Sequence, residues 1–168
     1  MAKANILYAH LADQAFPSEG GKLNLIGMFG GVNAPGRIGL AQFPAVYPRL
    51  ALAVGLATTE DKLPVTVTFR TEDGKDIVQP FSGTFEIQRQ GEGRNSAAAK
   101  KEAANLSFNL NFDTIRIEKP GKLYLTIESD KDELAEIELE AVQAQPQGQQ
   151  PPQPPQPPAQ PPAPPQKS

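Results

Sequence analysis

His10 is the only imidazole in the chain and cysteine is absent, so the groups that most often carry nucleophilic catalysis are nearly missing. A Ser-His or Cys-His arrangement needs an imidazole within reach of a hydroxyl or thiol, and a third group to orient it. His10 lies between Ala9 and Leu11 in an apolar run with no serine motif to pair it to, which predicts a structural strand residue. Zinc sites draw on several His or Cys ligands, and this chain cannot supply them. No Gly-x-x-x-x-Gly-Lys precedes Lys22, Lys75 or Lys122, so no phosphate cradle is expected. Carboxylates are the only reactive groups in number, with 19 Asp plus Glu. Asp73 and Asp76 flank one turn, Glu60 and Asp61 another, and Asp130, Asp132 and Glu133 a third. Loop-borne carboxylates can hold calcium, and a glycoside hydrolase needs only two of them at the right separation. A calcium- or small-molecule-sensing domain and a carboxylate-based hydrolase are therefore the alternatives to a non-enzymatic binding module. Turns and solubility select the same residues, and the expectation is a protein with no catalytic residue, no cofactor and no metal.

Sixteen Lys plus Arg against those 19 acids give a net charge of −3. Phosphate binding needs a basic stripe, so no nucleic-acid partner is expected. No apolar window is long enough to span a membrane. The absence of cysteine fits a soluble cytoplasmic protein. Eleven of the 18 prolines fall between Pro146 and Pro165, which divides the 168 residues into a body, 1–142, and a tail, 143–168. The tail is almost entirely Gln, Pro and Ala, lacks the apolar side chains to offset ordering entropy, and is expected to be disordered with a polyproline II bias. Pro161, Pro162, Pro164, Pro165 and Lys167 have the spacing of a Pro-rich ligand for an aromatic groove. Spacing or solubilisation by the tail is the plainer reading.

The body is patterned with period two. Leu50, Leu52, Val54 and Leu56 alternate, as do Val65, Val67 and Phe69, then Leu106, Phe108, Leu110 and Phe112, then Leu123, Leu125 and Ile127. Asn5 to Ala12 and Leu23 to Phe29 open the chain as a hairpin, and Phe81 to Arg89 follows a Thr71-Glu72-Asp73-Gly74 turn. The last strand places Ile137, Leu139 and Ala141 on one face. Its other face, Glu136, Glu138 and Glu140, reads as a charged exterior that discourages edge pairing. About eight strands at this spacing predict an all-β fold, an antiparallel β-sandwich. A short helix in the Ala-rich crossover, 95–104, would be started by Asn95 or Ser96. The small face of the Leu50 strand, Ala51, Ala53, Gly55 and Ala57, requires something packed close against it.

Gly30 to Pro48 is expected to be a long loop that either lids the core or forms a contact surface. Its apolar residues Val32, Ile38, Leu40, Phe43, Val46 and Tyr47 are the candidate interaction residues, and their partner would be a protein. The stretches Tyr8-Ala9-His10-Leu11-Ala12-Asp13, Glu19 through Gly21-Lys22-Leu23-Asn24-Leu25-Ile26-Gly27-Met28-Phe29, Phe43-Pro44 and Tyr47-Pro48-Arg49-Leu50 resemble a family of small bacterial and phage proteins classed as a domain of unknown function. The similarity spans about Ile6 to Val142 and implies a compact β-sandwich-like domain, with no functional residue to carry over. The chain differs from that pattern by extra residues around Gly36 to Leu40.

Overall fold

The computed structural model describes residues 4–17, 23–87 and 103–144. These form the strands β1 (Ala4–Ala12), β2 (Gln14–Pro17), β3 (Leu23–Ile26), β4 (Gly30–Gly31), β5 (Gly36–Leu40), β6 (Ala45–Thr58), β7 (Lys62–Thr71), β8 (Phe81–Glu86), β9 (Ala104–Ile117), β10 (Gly121–Ser129) and β11 (Asp132–Gln143). The described chain is all-β, and no helix in it is long and apolar enough to cross a membrane. One sheet has the order β4-β1-β6-β9, a second β5-β11-β10-β7-β8, and β2 pairs with β3 alone.

Every long period-two run becomes a strand with its apolar face inward. Leu50, Leu52, Val54 and Leu56 meet Val65, Val67, Phe69, Leu123, Leu125, Ile127, Ile137 and Leu139 in one core shared by the two large sheets. Phe69 and Phe112 join the sheets with ring centroids 6.2 Å apart, and Phe85 and Phe108 do so at the margin, at 4.8 Å. Area removed from water on both inner faces is the main stabilising term of such an arrangement.

Three strands, β2, β4 and β5, come from segments that carry no strand signal of their own. The stretch from Gly30 to Pro48 is therefore not a loop. It contains β4 and β5, then a cis Phe43-Pro44 bond, then the start of β6. Nor is the five-stranded sheet wholly antiparallel, because β5 pairs parallel to β11, Gly36 opposite Leu139 and Leu40 opposite Gln143. The chain crosses from one sheet, through β4, to the other, through β5, and that crossing delivers β5 in the parallel sense.

This pairing also changes the meaning of the Glu row. β5 covers β11 only from Leu139 to Gln143, so Glu140 lies on an interior stretch, whereas Glu136 and Glu138 lie where β11 has no second strand partner among the described residues. Glu140 meets Arg37 of β5 at 3.3 Å and Glu138 meets Lys122 of β10 at 3.0 Å. The hydrogen bond and charge of Glu138 hold the Lys122 ammonium above its usual range.

The opening hairpin bends at Asp13. β2 pairs with β3, and β1 pairs with β4 and β6, so the partner of β1 along most of its length is β6. The bend lays β2 against β6 and β9, where Ala15 is buried. On the small face of β6, the Tyr8 ring lies over Gly55. Ala51 and Ala53 are fully buried. The Tyr8 ring occupies the space a Cβ at Gly55 would need, and its hydroxyl donates to Ser107 Oγ at 3.1 Å.

β9 runs past Phe112 because β6 and β9 change face together. Pro48 and Arg49 both point outward on one strand, Asp113 and Thr114 on the other, and the pairing continues unshifted from Leu50–Phe112 to Tyr47–Ile115. Thr114 has φ 59°, and Arg49 Nε meets Asp113 Oδ1 at 2.6 Å across the kink. The β10–β11 turn has positive φ at both Asp130 and Lys131, as a two-residue type I′ turn requires. Of the Ala-rich crossover, residues 95–102 lie outside the described chain, and Ala104 opens β9 rather than ending a helix. The tail from 145 onward, with Pro161, Pro162, Pro164, Pro165 and Lys167, also lies outside it. Ala144 is described and donates its N–H to Leu40 O at 2.8 Å.

Candidate functional site

Asp13 stands at the bend between β1 and β2, where its N–H donates to Ile26 O at 3.0 Å. Its carboxylate Oδ1 accepts the Tyr47 hydroxyl at 2.7 Å, tying the hairpin to β6. Gly27 makes room for that carboxylate. At φ 67° it has the left-handed conformation that L side chains avoid, and a Cβ there would fall on the Asp13 carboxylate. Burial first, then the hydrogen bond and negative charge of Asp13, push the Tyr47 phenol above its usual range.

Asp13, Gly27, Met28, Phe29, Arg37, Ile38, Gly39 and Tyr47 line an open cleft of about 360 Å³. Beside it the hairpin presents an apolar surface. The register that sets Gln14 opposite Ile26 and Phe16 opposite Asn24 puts Phe16 and Ile26 on one face. Phe16 is 42% exposed, Ile26 52% and Met28 60%.

The six sequence-predicted interaction residues divide. Ile38 and Leu40 are buried on β5 and belong to the core, while Val32, Phe43 and Tyr47 are half-buried against it. Those five pack in or against the core. Val46, 57% exposed, points away from the face that carries Tyr47. Only Ile38 and Tyr47 come together in the cleft. Phe16, Ile26, Met28, Asp13 and Gly27 were not among the candidates. A signal for them exists in Asn24-Leu25-Ile26-Gly27-Met28, where apolar residues occupy both alternating faces of a short strand and one set must remain outside.

Two further clefts, of about 390 and 320 Å³, share Thr71, Asp73, Lys119 and Leu123 between the β7 and β9–β10 turns. Asp73, Asp76 and Glu118 line the larger one, which is the shared pocket a carboxylate hydrolase would need. Their environments oppose that chemistry. Asp76 is ion-paired to Arg70 and Glu118 to Arg116, each at 2.8 Å. Asp73 accepts from Thr71 and faces Lys119 at 3.6 Å, which together hold its carboxyl below the usual range, whereas a general acid must be held above it. Among the described residues no three His, Cys, Asp or Glu are grouped to hold a metal ion. His10 stacks on Tyr8, centroids 5.7 Å apart, as a strand residue of the four-stranded sheet.

The Tyr47–Asp13 bond is testable by itself. Tyr47→Phe is expected to lower stability near neutral pH by about 1 kcal/mol, read by urea unfolding. The folded-state phenol titrates above the unfolded value of about 10, so the contribution of Tyr47 is full below that pH and is lost as pH rises through the folded value. The stability difference between wild type and Tyr47→Phe should therefore shrink above about pH 10; a constant difference would mean that the phenol is not held protonated by the fold.

The model of one protein family, described as Family of unknown function (DUF6941), matches residues 7–142. No curated protein matches the chain. Among solved structures, an alkylpurine DNA glycosylase, AlkC, of Pseudomonas fluorescens bound to DNA containing an abasic site analog is similar with a TM-score of 0.44 and 15% identity. That likeness covers 84% of this chain and 31% of the glycosylase, so the chain spans about a third of its length.

Proposed function

We propose that the chain, which belongs to this family of unknown function, is a non-enzymatic binding module that docks a protein partner on the β2–β3 hairpin beside the Asp13–Tyr47 cleft. The two large sheets, which share one core, are read as the layers of a β-sandwich that holds the hairpin in place. The observation that carries the reading is the exposure of Phe16, Ile26 and Met28 next to a cleft whose walls are fixed by hydrogen bonds. Large apolar side chains grouped on an anchored element are what a protein interface uses as anchors. The paired charges of the 390 Å³ cleft support a binding role over catalysis.

A pull-down from lysate of the source organism should compare the full chain, an Ile26→Asp plus Met28→Asp variant, a Val46→Asp variant and a chain ending at Ala144. One protein retained by wild type, by Val46→Asp and by the shortened chain, but reduced about tenfold or more by the hairpin substitutions, is the expected result. Retention by all four chains places recognition elsewhere and removes the proposal. Loss with residues 145–168 transfers recognition to the Pro-rich ligand, and no specific capture by any chain counts against a binding module.

A further inference from the structure

We propose that the free edge of β9 pairs with β9 of a second copy of this chain, antiparallel about a two-fold axis, so that the four-stranded sheet continues from one copy into the other. A strand at a sheet edge presents a row of backbone N–H and C=O groups that will pair with any compatible strand, and natural edges are usually blunted by brevity, bulges, glycines or charges. Other edges of the described residues are blunted in these ways, and the part of β11 that β5 leaves uncovered carries Asp132, Glu133, Glu136 and Glu138. The β1 side of the four-stranded sheet is covered by β4 over only His10 and Leu11, and Leu7 forms a bulge where the pairing shifts between Ile6 and Tyr8. β5 has five residues, two of them glycine and one Arg37. β8 has six, includes Gly83, and ends in Glu86, which is ion-paired to Lys62 at 2.8 Å.

β9 has none of these devices along its first part. It is 14 residues long, and from Ala104 to Phe112 it contains no charge, no glycine and no proline. Among the described residues nothing pairs with the side of β9 away from β6.

The second copy is the occupant that the strand itself specifies. In an antiparallel pairing that sets residues of like parity opposite one another, Leu106, Phe108 and Leu110, only half-buried at the sheet margin, meet their own counterparts and extend the core across the seam. On the other face Asn105, Ser107, Asn109 and Asn111 form a row of amides and hydroxyls that can hydrogen-bond across the two-fold. Two chains that each carry a net charge of −3 oppose no like charges along these nine residues.

Sedimentation of the full chain from micromolar to hundreds of micromolar tests the pairing. Wild type is expected to form a dimer. Asn105→Lys with Asn109→Lys should raise its dissociation constant by about tenfold or more while preserving the circular dichroism spectrum, because like charges then face each other across the seam. Asn105→Asp with Asn109→Asp should do the same, and mixing the two variants should restore a heterodimer. A wild type that stays monomeric throughout overturns the proposal, and so does a dimer that the Lys pair leaves intact. Should a variant fail to fold, hydrogen exchange on the unaltered chain reads the same edge. Protection of amides 104–112 must rise with protein concentration; concentration-independent protection would place residues 88–102 or no partner at this edge and overturn the proposal.

Discussion

Phe69→Ala is expected to cost about 3–5 kcal/mol of unfolding free energy, the largest effect of any single substitution considered for this protein. Phe69 is fully buried on the inner face of β7, and its ring meets Phe112 of the facing sheet at 6.2 Å. Truncation removes the transfer free energy of the ring and leaves a void between two hydrogen-bonded sheets, which cannot close on it without breaking strand pairing. Urea unfolding should show a lowered midpoint with an unchanged slope. A loss below about 1.5 kcal/mol would show that the sheets do close, and that the contact between Phe69 and Phe112 is not central to their packing.

Gly30→Ala is the second. The chain leaves the four-stranded sheet at β4 and enters the five-stranded sheet at β5, and the two strands touch at their glycines. A Cβ on Gly30 would stand 2.9 Å from Gly36 Cα and 3.1 Å from Gly36 N. Both neighbours are backbone, so no side chain can swing away, and relief requires β4 and β5 to part. The expected loss is about 1–3 kcal/mol, at the upper end if the parallel β5–β11 pairing is disturbed. Gly39→Ala is the control within the same stretch. A Cβ there meets only Ala144 Cβ at 3.6 Å, an ordinary contact. Its expected effect lies between neutral and a gain of about 0.4–1 kcal/mol from the reduced freedom of the unfolded chain. Thermal or urea unfolding of both variants gives the comparison; equal effects at the two positions would remove the close-approach account of the crossing.

The long strands were legible because their chemistry is local. Leu123 to Ile127 alternates apolar with polar residues, Leu50 to Leu56 alternates large with small ones, and each buries its large apolar face. The resemblance carried by Tyr8 to Asp13 and Gly21 to Phe29 agrees with the family match over residues 7–142. Gly30 to Pro48 was misread as a loop for a physical reason: β4 and β5 are two and five residues long and rich in glycine, so neither shows a period, and both are held by pairings with distant strands. The Glu row of β11 was assigned to the correct face but read as one edge, whereas β5 covers Glu140 and not Glu136 or Glu138, because alternation reports the direction of a side chain and not which neighbours its strand acquires.

The candidate site was harder to find than the fold. Its central contact joins Asp13 to Tyr47, 34 residues away, and the cover of the small β6 face depends on Tyr8 reaching Ser107, 99 residues away. What the amino-acid sequence determined by itself was the all-β class, the inward face of each long strand and the Asp-Gly and Asp-Lys turns, because these follow from residue-by-residue alternation and local backbone preference. The tertiary structure alone decided that β5 runs parallel to β11, that Gly30 and Gly36 meet, that Asp13 rests on Gly27, and that Ile38 is core while Ile26 and Met28 are surface. Those outcomes depend on which strands become neighbours, and no local pattern encodes a neighbour brought close only when the sheets assemble.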